Sequence, residues 1–74
     1  MSDYKSVWVV MQDKEFARRY PDKAFYLRVE LQSGDVDILD LPDCITPLNG
    51  RDLARDRGYE PTHWVTPNGS LNRF

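Results

Sequence analysis

Cys44 and His63 are the residues whose types most readily do chemistry, one as a nucleophile in its thiolate form and the other as a base near neutral pH. Nucleophilic catalysis also needs a group to orient the base and donors to hold an oxyanion, and no stretch of the chain identifies either. Asp43 stands beside Cys44, and its charge disfavours the thiolate, the opposite of activation. Cys44 therefore reads as a small buried hydrophobe. A single cysteine excludes an intramolecular disulfide, and one cysteine with one histidine falls short of a four-ligand zinc site. The expectation is a non-enzymatic chain with no catalytic residues, no metal and no cofactor.

Carboxylates are the next candidates. Asp35, Asp37, Asp40 and Asp43 lie in the stretch from Gly34 to Thr46, which contains no Lys or Arg. Their spacing opens like a calcium loop, but Leu39 stands at the fifth position, the sixth lacks glycine and the twelfth lacks glutamate. With Glu30 they would instead form an acidic face presented to a basic partner surface. The plainer reading is a solvated sheet face on which Arg28 relieves the repulsion and the carboxylates guard an edge strand.

Arginines make the opposing set. Arg51 and Arg55 lie one turn apart, Arg57 closes the same segment, and Arg18 with Arg19 ends an earlier one. Together they would hold phosphates if both helices covered one sheet face. Interleaved acids, with Asp52 three residues before Arg55 and Asp56 beside Arg57, read more simply as a solvated helix. No helix-turn-helix, ribonucleoprotein or zinc-finger pattern supports nucleic-acid binding. Among the aromatics, Trp8 and Tyr26 have the strand parity opposite the main apolar face. They are either interface anchors or are covered by a helix.

The elements that must position these groups follow from periodicity. Ser6 to Gln12 is apolar on both alternating faces, the pattern of a central strand. Asp13 caps a short helix, Lys14 to Tyr20, with Phe16, Ala17 and Tyr20 as its apolar stripe; Pro21 stops it. Ala24 to Leu41 is a β-hairpin turning at Ser33-Gly34. Keeping apolar residues together sets Leu31 opposite Val36, Val29 opposite Ile38 and Glu30 opposite Asp37, with a bulge or the end of pairing near Leu39. A second helix runs from about Gly50 to Arg57, capped by Asn49, stapled by Leu48 and Leu53, and stopped at Gly58, where Tyr59 packs back on Ala54. A short strand at His63 to Thr66 and a turn at Pro67-Asn68-Gly69 finish the chain.

The fold class expected is α+β: one small domain over residues 1–74, a three- to four-stranded mainly antiparallel sheet in the order β-α-β-β-α with an optional last strand. Two short helices pack on the face of Val29, Leu31, Val36 and Ile38. Met1 to Lys5 and the last few residues are expected to be loose. With 74 residues the chain buries only roughly 60% of its unfolded surface, so stability is marginal and a partner or self-association adds burial.

Ten Lys plus Arg against twelve Asp plus Glu give a net charge of −2, too balanced for indiscriminate polyanion binding. The N-terminus lacks a signal-peptide pattern and no run is long enough to span a membrane, which makes the cytoplasm the default location. By size and type alone, such a chain is like many small phage and mobile-element proteins that inhibit or redirect a larger host machine, including inhibitors of bacterial defence systems. The functional expectation is a protein-binding module of that inhibitor or regulator type. It would act through the acidic hairpin face with Trp8 and Tyr26 as anchors, on another protein with a basic surface or as a homodimer. The alternative is a nucleic-acid accessory protein using the Arg-bearing helices.

Overall fold

β1, Tyr4–Met11, carries apolar side chains on both faces and needs neighbours on both sides. It receives them. The computed structural model describes residues 3–74, and these add α1 (Lys14–Arg19), β2 (Phe25–Leu31), β3 (Val36–Asp40), α2 (Pro47–Asp56), β4 (His63–Val65) and β5 (Leu71–Arg73). The strands form one mixed sheet in the order β3-β2-β1-β4-β5, in which β1 and β4 run parallel and the other neighbours antiparallel. The α+β class holds, with five strands among the described residues in place of three or four.

One face of the sheet is the core. Val7, Val9, Leu27 and Val29 have no exposed surface, and Phe25, Leu41, Cys44 and Ala54 complete the buried cluster. α2 lies against this inner face, over β1 and β2. Its start differs from the sequence expectation. Thr46, not Asn49, is the N-cap: its Oγ1 accepts from Asn49 N at 3.1 Å, and Pro47 takes the first helical position, where the missing N–H costs nothing. Asn49 sits inside the helix and its Oδ1 accepts from Ile45 N. The Leu48–Leu53 staple therefore loses its spacing, and Leu48 is exposed. The helix ends as expected. Gly58 adopts φ +89°, its N–H donates to Arg55 O, and Tyr59 N–H donates to Ala54 O.

The β2–β3 register corrects the expectation. Gly34 has φ +96°, Gly34 N–H donates to Leu31 O and Leu31 N–H donates to Asp35 O, so Gln32, Ser33 and Gly34 form a three-residue loop with a glycine bulge. A loop one residue shorter shifts every pairing by one. Val29 faces Asp37, Arg28 faces Ile38, Glu30 faces Val36, and Tyr26 faces Asp40. Val36 and Ile38 therefore leave the core face, and the helices do not pack on them. No bulge interrupts Leu39, which pairs with Leu27 and joins the core margin. The irregularity lies instead between Tyr4 and Ser6 of β1.

The tail uses the same turn chemistry. Gly69 has φ +88°, Gly69 N–H donates to Thr66 O and Thr66 N–H donates to Ser70 O, which folds β5 back onto β4. Phe74 N–H then donates to Thr62 O, and its ring packs at the core margin beneath Arg51. The last residues are thus part of the sheet. At the other end Tyr4 and Lys5 belong to β1, while Met1 and Ser2 lie outside the described residues. No helix among the described residues is long and apolar enough to cross a membrane.

Candidate interaction face

The sheet has a second face, which α2 leaves open. Cross-strand pairing lays its side chains out in rows. Ile38, Arg28, Trp8, His63 and Arg73 follow one another across the strands in one row, and Asp40, Tyr26, Val10, Val65 and Leu71 do so in the next. Val36, Glu30 and Ser6 form a partial third row. Ile38 is 56% exposed, Leu71 50% and Val36 43%, values unlike those of aliphatic residues facing a packed layer.

Trp8 holds the centre. The Arg28 guanidinium carbon lies 4.7 Å from its ring centroid and the His63 ring meets it edge-on at 6.4 Å. The stack supplies cation–π attraction and leaves the indole only half-covered. Arg28 Nη1 is enclosed and has no hydrogen-bond partner among the described residues; Glu30 Oε1 is 3.8 Å away. Trp8 and Tyr26 are both half-buried, on the sheet face opposite α2.

The acidic residues do not share one face. Glu30 and Asp37 are not opposed: Asp37 faces Val29 across the ladder and points to the opposite side from Glu30. Their expected repulsion therefore does not arise. Glu30 and Asp40 belong to the open face, Asp35 lies in the turn where its Oδ2 accepts from Ser33 Oγ, and Asp43 lies in the exposed connection to α2. What the structure does bring together is a rim. Asp35 precedes β3 while Asp37 and Asp40 belong to it on opposite faces, and β3 is an edge strand on which Leu39 is the one residue not exposed.

The arginines are dispersed and engaged. Arg18 pairs with Glu15 at 2.6 Å, Arg55 with Glu60 at 2.8 Å rather than with Asp52, and Arg57 donates to Asp40 O at 3.0 Å. Arg51 lies over the Phe74 ring at 5.4 Å. Arg19 is exposed at the end of α1, whose residues are not buried; Phe16 and Tyr20 stack on each other at 5.1 Å rather than entering the core. These side chains do not combine into one basic surface.

Cys44 and His63 are separated by the sheet itself. Cys44 is buried under α2 with Sγ donating to Thr46 O at 3.1 Å, whereas His63 stands on the open face. Burial pushes the Cys44 thiol up to about 11, which keeps it protonated and unreactive at neutral pH. On the α2 side, a hollow of about 490 Å³ lies between the helix N-terminus and β4–β5, lined by Thr46, Pro47, Leu48, Trp64 and Phe74 with Arg73 at its border.

Sequence reasoning missed Val36, Ile38 and Leu71 as exposed residues. The signal that could have found the first two was Gly34 as the third residue of the hairpin loop. No family model matches this chain, and neither a curated protein nor a solved structure shows significant similarity to it.

Proposed function

We propose that this chain is a non-enzymatic protein-binding module whose β2–β3 hairpin docks its acidic edge against a basic protein surface. One observation carries this reading: β3 is an edge strand with a free backbone side, preceded by Asp35, carrying Asp37 and Asp40, and bearing exposed Val36 and Ile38. A free strand edge offers backbone hydrogen bonds, apolar side chains add burial, and the carboxylates select a cationic partner while repelling acidic ones. Trp8 and Tyr26 lie on the adjoining open face as aromatic anchors. In this reading the module inhibits or regulates a larger protein machine by occupying a basic site, as small phage-type inhibitors do.

The arginines support the choice over nucleic-acid binding, because Arg18, Arg51, Arg55 and Arg57 already have partners on separate parts of the surface. The test is affinity capture from the native host with the wild-type chain and with Asp35→Lys/Asp37→Lys. Wild type should retain one protein with a basic surface, in a complex weakened by raised salt, and the charge-reversed chain should lose it while keeping its circular dichroism. Equal capture by both chains would remove the acidic edge from the mechanism.

A further inference from the structure

The open face is polarised in a way that matches a second copy of itself. Asp40 and Glu30 lie toward the β3 side, where Arg28 is stacked on Trp8 and lies 3.8 Å from Glu30, and Arg73 lies on β5 at the other side, with an apolar and aromatic middle formed by Trp8, Tyr26, Val10 and Val65. A two-fold axis along β1 turns this layout onto its opposite. β1 then lies over β1, β2 over β4 and β3 over β5, as in an isologous interface.

We infer that the open faces of two copies pack sheet on sheet to form a homodimer. Trp8 meets the partner's Trp8 at the axis, and Val10 and Tyr26 meet Val10 and Val65 of the partner subunit. Asp40 comes over the strand that carries the partner's Arg73, one pleat repeat away, a step of roughly 7 Å that an arginine side chain spans. Each Asp40 thereby gains an opposite charge, twice per dimer. An axis across the strands would instead stack β3 on β3 and bring like charges together, so the charge pattern chooses one orientation.

Sheets packed this way lie roughly 10 Å apart with strands nearly aligned. The face is about 20 Å wide, from five strands at roughly 4.8 Å spacing, which places the interface at the small end of the range and makes association concentration-dependent. The inference goes beyond the acidic-edge reading: the backbone edge of each β3, with Asp35 and Asp37, stays outside the seam. Such a dimer would present two docking edges, each reduced to the β3 backbone with Asp35 and Asp37, because Trp8, Tyr26, Ile38 and Asp40 are taken up by the seam.

A charge swap tests the geometry. Wild type should sediment at twice the 8.7 kDa chain mass at high micromolar concentration. Asp40→Arg and Arg73→Asp should each weaken self-association at least tenfold, because each sets like charges against each other twice. Mixed one to one, the two variants should form a heterodimer, seen by native mass spectrometry, since both contacts are then restored. Ile38→Lys should also give a folded monomer, because the rotation sets position 38 opposite the partner's Arg73 and the change places two cations against each other. A wild type that stays monomeric up to about 1 mM would overturn the inference. So would a dimer indifferent to the swap, which would be using another surface. Asp35→Lys/Asp37→Lys leaves the seam intact, so failure of the dimer and failure of partner capture are read separately.

Discussion

A Cβ placed on Gly50 would lie 2.7 Å from Val9 Cγ1 and 3.0 Å from Cys44 Sγ, so α2 sits on β1 at a separation only glycine permits. Gly50 is buried in the helix interior, where glycine costs about 1 kcal/mol against alanine through backbone entropy. Close packing of helix on strand offsets that cost. Val9 has no exposed surface and cannot swing away.

Gly50→Ala is therefore expected to destabilise the fold by about 1–3 kcal/mol despite its better helix propensity. Chemical denaturation measures it. Val9→Ala combined with Gly50→Ala should cost less than the sum of the two single changes, because the valine methyl groups are the obstruction. Strict additivity would show that the contact is not what holds glycine at this position.

Leu27 and Ile38 test the assignment of faces. Leu27→Ala empties a site with no exposed surface and should cost about 2–5 kcal/mol, enough to unfold much of a domain of this size. Ile38→Lys should change the stability of the monomer by no more than about 0.5 kcal/mol, since Ile38 is 56% exposed. Thermal melts of both variants at low concentration decide the matter. A severe loss from Ile38→Lys would restore the register in which Ile38 faces Val29.

Cys44 makes a prediction in pH. Its thiol is raised from 9.0 to about 11 by burial. Below pH 9 both folded and unfolded chains keep the proton and the contribution is constant. Between pH 9 and 11 the unfolded chain releases it while the native chain holds it, so stability should fall with rising pH, by on the order of 2 kcal/mol. Cys44→Ala should lose this particular slope, as denaturation midpoints across that range would show. Iodoacetamide at pH 8 should modify the native thiol far more slowly than the unfolded one; equal rates would contradict its burial.

The expected hairpin shows how far local pattern carries. Alternation in β2 named Phe25, Leu27 and Val29 as one face, and all three are buried. For β3 the same rule misled, because Val36 and Ile38 look like core residues while Asp37 and Leu39 do not agree with each other. The turn outweighed the pattern: Gly34 in the left-handed region favours a three-residue loop, and an edge strand tolerates apolar side chains facing outward. The acidic candidates divided for the same reason. A one-residue shift sends Asp37 to the opposite side from Glu30 and Asp40.

The sequence by itself determined the α+β class, the central place of β1, the inner face of β2, the stop of α2 at Gly58 and the positions of both glycine turns. These depend on local periodicity and on backbone angles that few residues adopt. Tertiary structure decided the register of β3, the parallel union of β1 with β4, the inclusion of β5, and the separation of Cys44 from His63 by the sheet. Such pairings join residues distant in the chain. They are chosen by which arrangement buries Val7, Val9, Leu27 and Val29 beneath α2 while every strand finds a neighbour, a condition no single segment can express.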